Sequence, residues 1–198
     1  AVRKRLDFER EVTNQLLLDC IDVAEQAPTG GNQQSRNWMV VRDRAKKDEL
    51  AEIYRAAGGS ELIEIGDRLE GTGHRNEAMM SSAAYLSRNL EKAPAIVIPT
   101  IQGVHDGSGR PGLFDSGLQA AWSFCLALRA RGLGTAWTTM HLRRKEAVEE
   151  LLGVPEDVTQ LALFPVAWTI GTDFGPGPRQ PGSELTYVDT WGQAILPV

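Results

Sequence analysis

The 198-residue chain is 42% hydrophobic and 24% charged, the balance of a folded globular protein rather than a disordered one. Its formal net charge of -5 gives no general attraction to nucleic acid or anionic lipid, so neither nucleic acid nor membrane is expected as a partner. Two cysteines in apolar helical patterns, three histidines and the lack of CxxC or HExxH speak against a disulfide and against a zinc site. The N-terminal Ala1-Val2-Arg3-Lys4-Arg5-Leu6-Asp7 does not read as a secretory signal, and no apolar run reaches spanning length, so the expected location is the cytoplasm.

In chain order, residues 8–26 predict a first helix, with Leu16, Leu17, Cys20, Ile21 and Ala24 at helical spacing. Pro28 stops it, because the residue before a proline disfavours helical geometry. Thr29-Gly30-Gly31-Asn32-Gln33-Gln34-Ser35 has turn chemistry. Trp38-Met39-Val40-Val41 reads as a strand, and Asp43 as the cap of a helix over 44–57 that ends at Gly58-Gly59. A third helix is expected over 75–92, a second strand over 95–101, and a Gly-rich loop over 102–112. The most hydrophobic helix follows at 115–131, wide enough in its apolar surface to be buried on more than one side. After Gly132-Leu133-Gly134 come a short helix at 143–152 and a third strand at 161–170. Residues 175–198 are too poor in apolar side chains to fold alone and read as an arm with a strand-like Leu185-Thr186-Tyr187-Val188. One domain over 1–198 is expected, with no internal repeat. Strands separated by helices indicate an α/β or α+β layered architecture around one sheet.

The common nucleotide and hydrolase signatures are missing. There is no GxxxxGK[ST] and no GxSxG, and Gly30-Gly31 does not open a helix after a strand. Three polar segments remain as candidates: Arg3-Lys4-Arg5; the turn from Pro28 and Thr29 through Gly30, Asn32 and Gln34; and Trp137-Thr138-Thr139-Met140. Composition alone favours a solvated basic tail for the first, the second reads equally as a surface turn, and an ordinary buried strand would look similar to the third. His141 reads as a helix-start or surface residue, with proton donation as the alternative, and Arg179 is a lone cation in a rigid loop.

Taken together, these segments resemble the FMN-dependent nitroreductase family over nearly the whole chain. The resemblance rests on Arg3, then Ala27-Pro28-Thr29-Gly30-Gly31-Asn32-Gln33-Gln34, then Trp38-Met39-Val40-Val41 with Asp43. It continues through Gly132-Leu133-Gly134-Thr135-Ala136-Trp137, Leu151-Leu152-Gly153-Val154-Pro155 and Arg179-Gln180-Pro181. These weak pieces in the right order make a specific match. The departures are a first phosphate-binding arginine that would precede Ala1, Gln34-Ser35-Arg36 in place of Gln-Pro-Trp, and Ser123 in place of an asparagine.

The resemblance implies an α+β, three-layer α/β/α sandwich with a mixed central sheet and a C-terminal arm exchanged in a homodimer. It implies FMN as cofactor, with Arg3, Arg5 and Arg179 on the phosphate. Pro28, Thr29, Gly30, Asn32 and Gln34 would come from the partner subunit, and Trp137, Thr138, Thr139 and Met140 would lie along the ring. The flavin would carry the chemistry, with no catalytic side chain. NADH or NADPH would donate hydride, and a small-molecule nitroaromatic or quinone acceptor would follow in ping-pong order. A dehalogenase or flavin-cleaving enzyme on the same scaffold, or a non-catalytic FMN-binding protein, is the alternative.

Overall fold

The computed structural model describes residues 1–104 and 112–194, without side-chain detail for 112–114. Strands β1 (Leu6–Asp7), β2 (Arg36–Val41), β3 (Ala95–Gln102), β4 (Leu133–Gly134), β5 (Val158–Gln160) and β6 (Phe164–Thr169) form one sheet. Its main path runs β1-β6-β3-β2, with β4 beside β6 and β5 beside β3. Every ladder between these strands is antiparallel, and a single isolated bridge, Gly103 to Val158, is parallel. The mixed sheet expected from the resemblance is therefore antiparallel within the described chain.

The centre is β3, whose residues 95–101 are all buried. A strand covered on both faces needs a continuous apolar run rather than alternation, which is what Ala95-Ile96-Val97-Ile98 supplies. Successive side chains point to opposite faces. Ala95 and Val97 join a core with Leu17, Cys20, Phe124, Leu128 and Phe164, on the side of α1 (Asn14–Ala24) and α5 (Gly112–Ala130). Ile96 and Ile98 join Leu50, Tyr54, Leu86 and Leu90, on the side of α2 (Arg44–Tyr54), α3 (Ser60–Leu69) and α4 (Glu77–Asn89). Two cores on two faces give the three-layer sandwich.

The local signals explain most boundaries. Asp43 Oδ1 accepts the Lys46 N–H at 2.9 Å to open α2, and Gly153, at φ 68°, closes α6 (Lys145–Leu152). Three expectations are corrected. The first helix starts at Asn14 rather than residue 8, because Asp7 Oδ1 takes the N–H groups of Glu9 and Arg10 in a turn and Thr13 provides the cap. Gly58-Gly59 does not end a helix for good. The chain makes one π-helical turn, Arg55–Gly59, with Gly58 at φ 130°, and resumes as α3. The strand expected over 161–170 is β6, shorter at Phe164–Thr169, and β5, at Val158–Gln160, precedes it unanticipated.

The Gly-rich loop expected over 102–112 lies mostly outside the described residues. In the arm, 185–188 is not a strand: Val188 N–H donates to Gln193 O at 2.8 Å, making a small turn in which the rings of Tyr187 and Trp191 stand 4.8 Å apart. Ile195 and Leu196 lie outside the described residues. No helix among those described is long and apolar enough to cross a membrane.

Candidate functional site

The N-terminal segment is laid onto the sheet by backbone pairing. Leu6 stands opposite Thr169 in β6, and Val2 N–H donates to Thr135 O at 2.8 Å. Gly134 permits the approach, since a Cβ there would sit 3.0 Å from Val2 Cβ and 2.7 Å from Thr169 Cγ2. Arg3 is thereby placed beside the run that leads from β4 to Met140. Its Nε is buried without a hydrogen-bond partner, and so is Thr135 Oγ1. Buried donors in this condition cost free energy unless something pairs with them. Lys4 Nζ reaches Ser81 Oγ on α4 at 2.7 Å.

Arg5 is engaged elsewhere. It pairs with Asp173 at 2.6 Å, donates to Ile170 O at 2.8 Å and lies 4.0 Å over the Phe174 ring, which Arg129 meets at 4.2 Å. The guanidinium holds the Asp173 carboxyl below its usual range through their hydrogen bond. The sequence grouped Arg5 with Arg3, but the structure commits Arg5 to the root of the arm. Arg179 is also apart: its hydrogen bond among the described residues goes to the carbonyl of its neighbour Pro178. An arm with so few contacts to its own domain leaves that guanidinium in solvent.

Residues 137–140 continue β4 as a ledge. Thr138 exchanges two backbone hydrogen bonds with Leu163, at 3.2 and 2.8 Å. The Trp137 ring turns into the core and meets Phe164 edge-on at 5.1 Å, so this residue can offer a ligand only its backbone. Thr138 Oγ1 lies 3.1 Å from Tyr54 OH and 3.5 Å from Met140 N. Thr139 is exposed, and its N–H has no partner among the described residues. Below Met140 lies the π-helical turn, where a Cβ on Gly58 would stand 2.8 Å from Met140 Sδ. His141 lies in a separate helical turn, Met140–Arg144, and is not a surface residue: it is fully buried, neither ring nitrogen has a partner among the described residues, and burial pushes it down to about 4. It is neutral near pH 7 and has no proton to lend as an imidazolium.

The turn at 28–34 stands on α5. Gly30 N–H donates to Ser116 Oγ at 3.0 Å, Gln34 N–H to Thr29 Oγ1 at 3.2 Å, and Gln34 Nε2 to Asn32 Oδ1 at 3.1 Å. Gly31, Asn32 and Gln34 have φ of 59°, 53° and 48°. Two non-glycine residues in the left-handed region so close together are uncommon and tend to mark functional turns. Pro28 and Thr29 lead in with extended backbone at Thr29.

Sequence reasoning missed the residues that hold this turn. Arg36 is almost wholly buried, its side chain 3% exposed, and it pairs with Glu25 Oε2 at 3.1 Å. It also donates to Glu25 O, Ala27 O and Ser116 O at 3.1, 2.8 and 3.1 Å. Trp38 Nε1 donates to the other oxygen of Glu25 at 2.7 Å. The only signal in the sequence was a cation directly after the turn, which reads as solvated.

The structure thus gathers Arg3, Thr135 and residues 137–140 on one ledge. Among the described residues no hydrogen bond joins the 28–34 turn to that ledge. A groove of about 480 Å³ lies elsewhere, along β2 between Leu18, Ile21, Met39, Val40 and Lys46. No cluster of metal-ligating side chains occurs among the described residues.

The chain is similar over 166 residues, at 24% identity, to a protein of Archaeoglobus fulgidus with the provisional name NADH dehydrogenase/NAD(P)H nitroreductase; the match covers 83% of this chain and 78% of that one. Its fold is similar to the FMN and NADPH-dependent nitroreductase NfnB of Sphigopyxis sp. strain HMH, with a TM-score of 0.70, 16% identity and 96% of each chain covered. It is similar too to an iodotyrosine deiodinase bound to FMN and 3-iodo-L-tyrosine, with a TM-score of 0.68, 20% identity and 91% and 90% of the two chains covered. Residues 1–168 match the Nitroreductase family, and the chain belongs to that family.

Proposed function

We propose that the protein is an FMN-dependent NAD(P)H oxidoreductase that reduces nitroaromatic or quinone-type acceptors. The observation that carries the reading is the ledge itself. At one end Arg3 keeps a buried guanidinium nitrogen unpaired, and at the other Thr139 presents an open N–H. An anionic phosphate and a flat ring with an acceptor nitrogen would satisfy the two ends, so these residues fit FMN. Arg3 would hold the phosphate, and the backbone of 137–140 would lie along the ring, with Thr139 N–H donating to it. When bound, FMN supplies hydride relay between donor and acceptor. The ledge leaves one side open, so donor and acceptor would use it in turn.

The turn at Thr29, Gly30, Asn32 and Gln34 would complete the site of a second copy. Ser116, which holds Gly30, precedes a stripe on α5 made of Leu118, Trp122 and Leu126, the last two 58% and 53% exposed. Spacing of four residues puts these on one helix face, and an apolar face of this kind is suited to a homodimer interface. Burying it against a second copy would bring the turn toward the partner's ledge. The second edge feature is β2, which among the described residues pairs only with β3. An open edge beside an apolar groove suits a strand-like segment, and the arm offers Leu185, Tyr187, Val188 and an 88% exposed Trp191. Arg179 would travel with that arm. Free Cys20 and Cys125 are compatible with a reducing cytoplasm.

The test is an absorption spectrum of the purified protein before and after NADH and NADPH, followed by initial rates with both substrates varied. Flavin bands that bleach, and parallel double-reciprocal lines with a nitroaromatic or quinone, are expected. A colourless protein that takes up no added FMN would overturn the cofactor assignment. Bleaching without transfer to either acceptor class would overturn the acceptor assignment.

A further inference from the structure

The 28–34 turn poses a problem of stability. Gly31, Asn32 and Gln34 all sit at positive φ, and the turn's own bonds are Asn32 N–H to Thr29 O, Gln33 N–H to Gly30 O and the two from Gln34. Support from outside the turn comes from the planar fork of Arg36. Its Nε meets Glu25 Oε2, its Nη1 meets Ser116 O, and its Nη2 meets both Glu25 O and Ala27 O. These acceptors belong to three segments: the C-terminal end of α1, the entry to the turn, and the first part of α5. The carbonyls of Glu25 and Ala27 follow the last turn of α1, where unpaired acceptors and the negative end of the helix dipole favour a cation. Both carboxylate oxygens of Glu25 are engaged, one by Arg36 and the other by Trp38 Nε1. Ser116 is used at both ends, its carbonyl by Arg36 and its hydroxyl by Gly30 N–H.

Resting on the FMN reading above, we infer that Arg36 and Glu25 are positioning residues for the cofactor turn: they touch no flavin but hold the backbone of Gly30–Asn32 in the shape that meets it. The fork is essential to this role. Four acceptors shared among all three guanidinium nitrogens suit an arginine, whereas a lysine is a point charge with a flexible stem and reaches one or two of them. The clamp also couples the turn to α5. Ser116 is the shared element, so a shift at the start of that helix reaches Gly30 through one hydrogen bond.

The experiment compares Arg36→Lys, Glu25→Gln and Ser116→Ala with the natural protein, using FMN titration and amide hydrogen exchange on the full chain. Arg36→Lys should weaken FMN binding by about tenfold or more, the size expected for losing charge-assisted hydrogen bonds. Exchange should quicken at residues 30–34, while the buried turns of α1 around Leu17 and Cys20 keep their protection. Ser116→Ala keeps the ion pair and removes the acceptor of Gly30, so it serves if the lysine variant fails to fold; roughly threefold weaker binding or more is expected, the size of one neutral hydrogen bond. FMN affinity within twofold of the natural protein in both variants, with unchanged exchange at 30–34, overturns the proposal. Loss of protection throughout α1 and α5 in Ser116→Ala also overturns it, since the network would then be a general stitch. If the natural protein binds no FMN, the cofactor reading fails by itself, and the exchange rates at 30–34 still decide whether Arg36 and Glu25 set the turn.

Discussion

Tyr54 and Thr138 meet hydroxyl to hydroxyl at 3.1 Å, joining the last residue of α2 to the ledge that continues β4. Tyr54 is 3% exposed, so water does not easily replace the contact. Tyr54→Phe removes the phenol alone and should cost about 1 kcal/mol of stability in urea unfolding. Paired with Thr138→Val in a double-mutant cycle, it should show coupling; strictly additive effects would mean the two hydroxyls do not interact.

Gly58 makes a second prediction. Its φ of 130° is outside the range of L side chains, and a Cβ would press on Met140 Sδ at 2.8 Å and Arg143 Nη1 at 2.9 Å. Gly153 is the control: it too has positive φ, at 68°, but a Cβ there meets nothing within 4 Å. Gly153→Ala should cost about 1–2 kcal/mol from backbone strain alone. Gly58→Ala should cost roughly 2–4 kcal/mol, strain and crowding together. Equal melting temperatures for the two variants would remove the crowding argument.

His141 sets a pH dependence. Burial takes it from the ordinary 6.5 to about 4, so the unfolded chain binds its proton more readily than the folded one. The stability it contributes is full above pH 6.5 and is lost as pH falls toward 4, by about 3 kcal/mol in all. Unfolding free energies between those limits should fall more steeply for the natural protein than for His141→Phe. Parallel pH curves for the two proteins would mean that the ring is solvated.

The phosphate grip can be ranked. Arg3 has an unpaired buried nitrogen, while Arg5 is already paired with Asp173 and stacked on Phe174. Arg3→Ala should lower FMN affinity about ten- to a hundredfold, from the loss of one charge-assisted contact. Arg5→Ala should act chiefly on the root of the arm and lower affinity less. The reverse ranking in a fluorescence titration would reassign the phosphate to Arg5.

Assembly is tested on α5. Trp122→Glu places a charge in the middle of the Leu118–Leu126 stripe, on a face 58% exposed at Trp122 in the single chain. Sedimentation should give a dimer for the natural protein and a monomer for this variant, with weaker FMN retention. A natural protein that sediments as a monomer and still binds FMN tightly would contradict a shared site.

Much of the scaffold was legible because it follows from local chemistry. Asp43 caps α2, the apolar run Ala95–Ile98 requires a strand covered on both faces, and α1 ends at Ala24, within the bound that Pro28 sets. The errors came where a tertiary partner overrode the local signal. Gly58-Gly59 reads as a stop, yet Gly58, at φ 130°, only carries the chain through a π-helical turn, and the helix continues. Arg3 and Arg5 look alike two residues apart, but only Arg5 has Asp173 and Phe174 to meet, far along the chain. The turn at 28–34 was recognisable by composition. Its clamp was not, because Glu25, Arg36 and Ser116 look like ordinary helix-end and strand-end residues until the fold brings them together.

The pairing of Leu6 with Thr169 has a consequence for how the protein comes into being. Strand β1 precedes its partner β6 by most of the domain and so is made well before it. Closing so long a loop is slow compared with local helix formation. While the nascent chain lengthens on the ribosome, Arg3 has no sheet to lie on, however early α1 and α2 take shape. The ledge is therefore completed only after β6 has emerged, so a truncated translation product that stops before β6 would carry every residue of the ledge and none of its geometry.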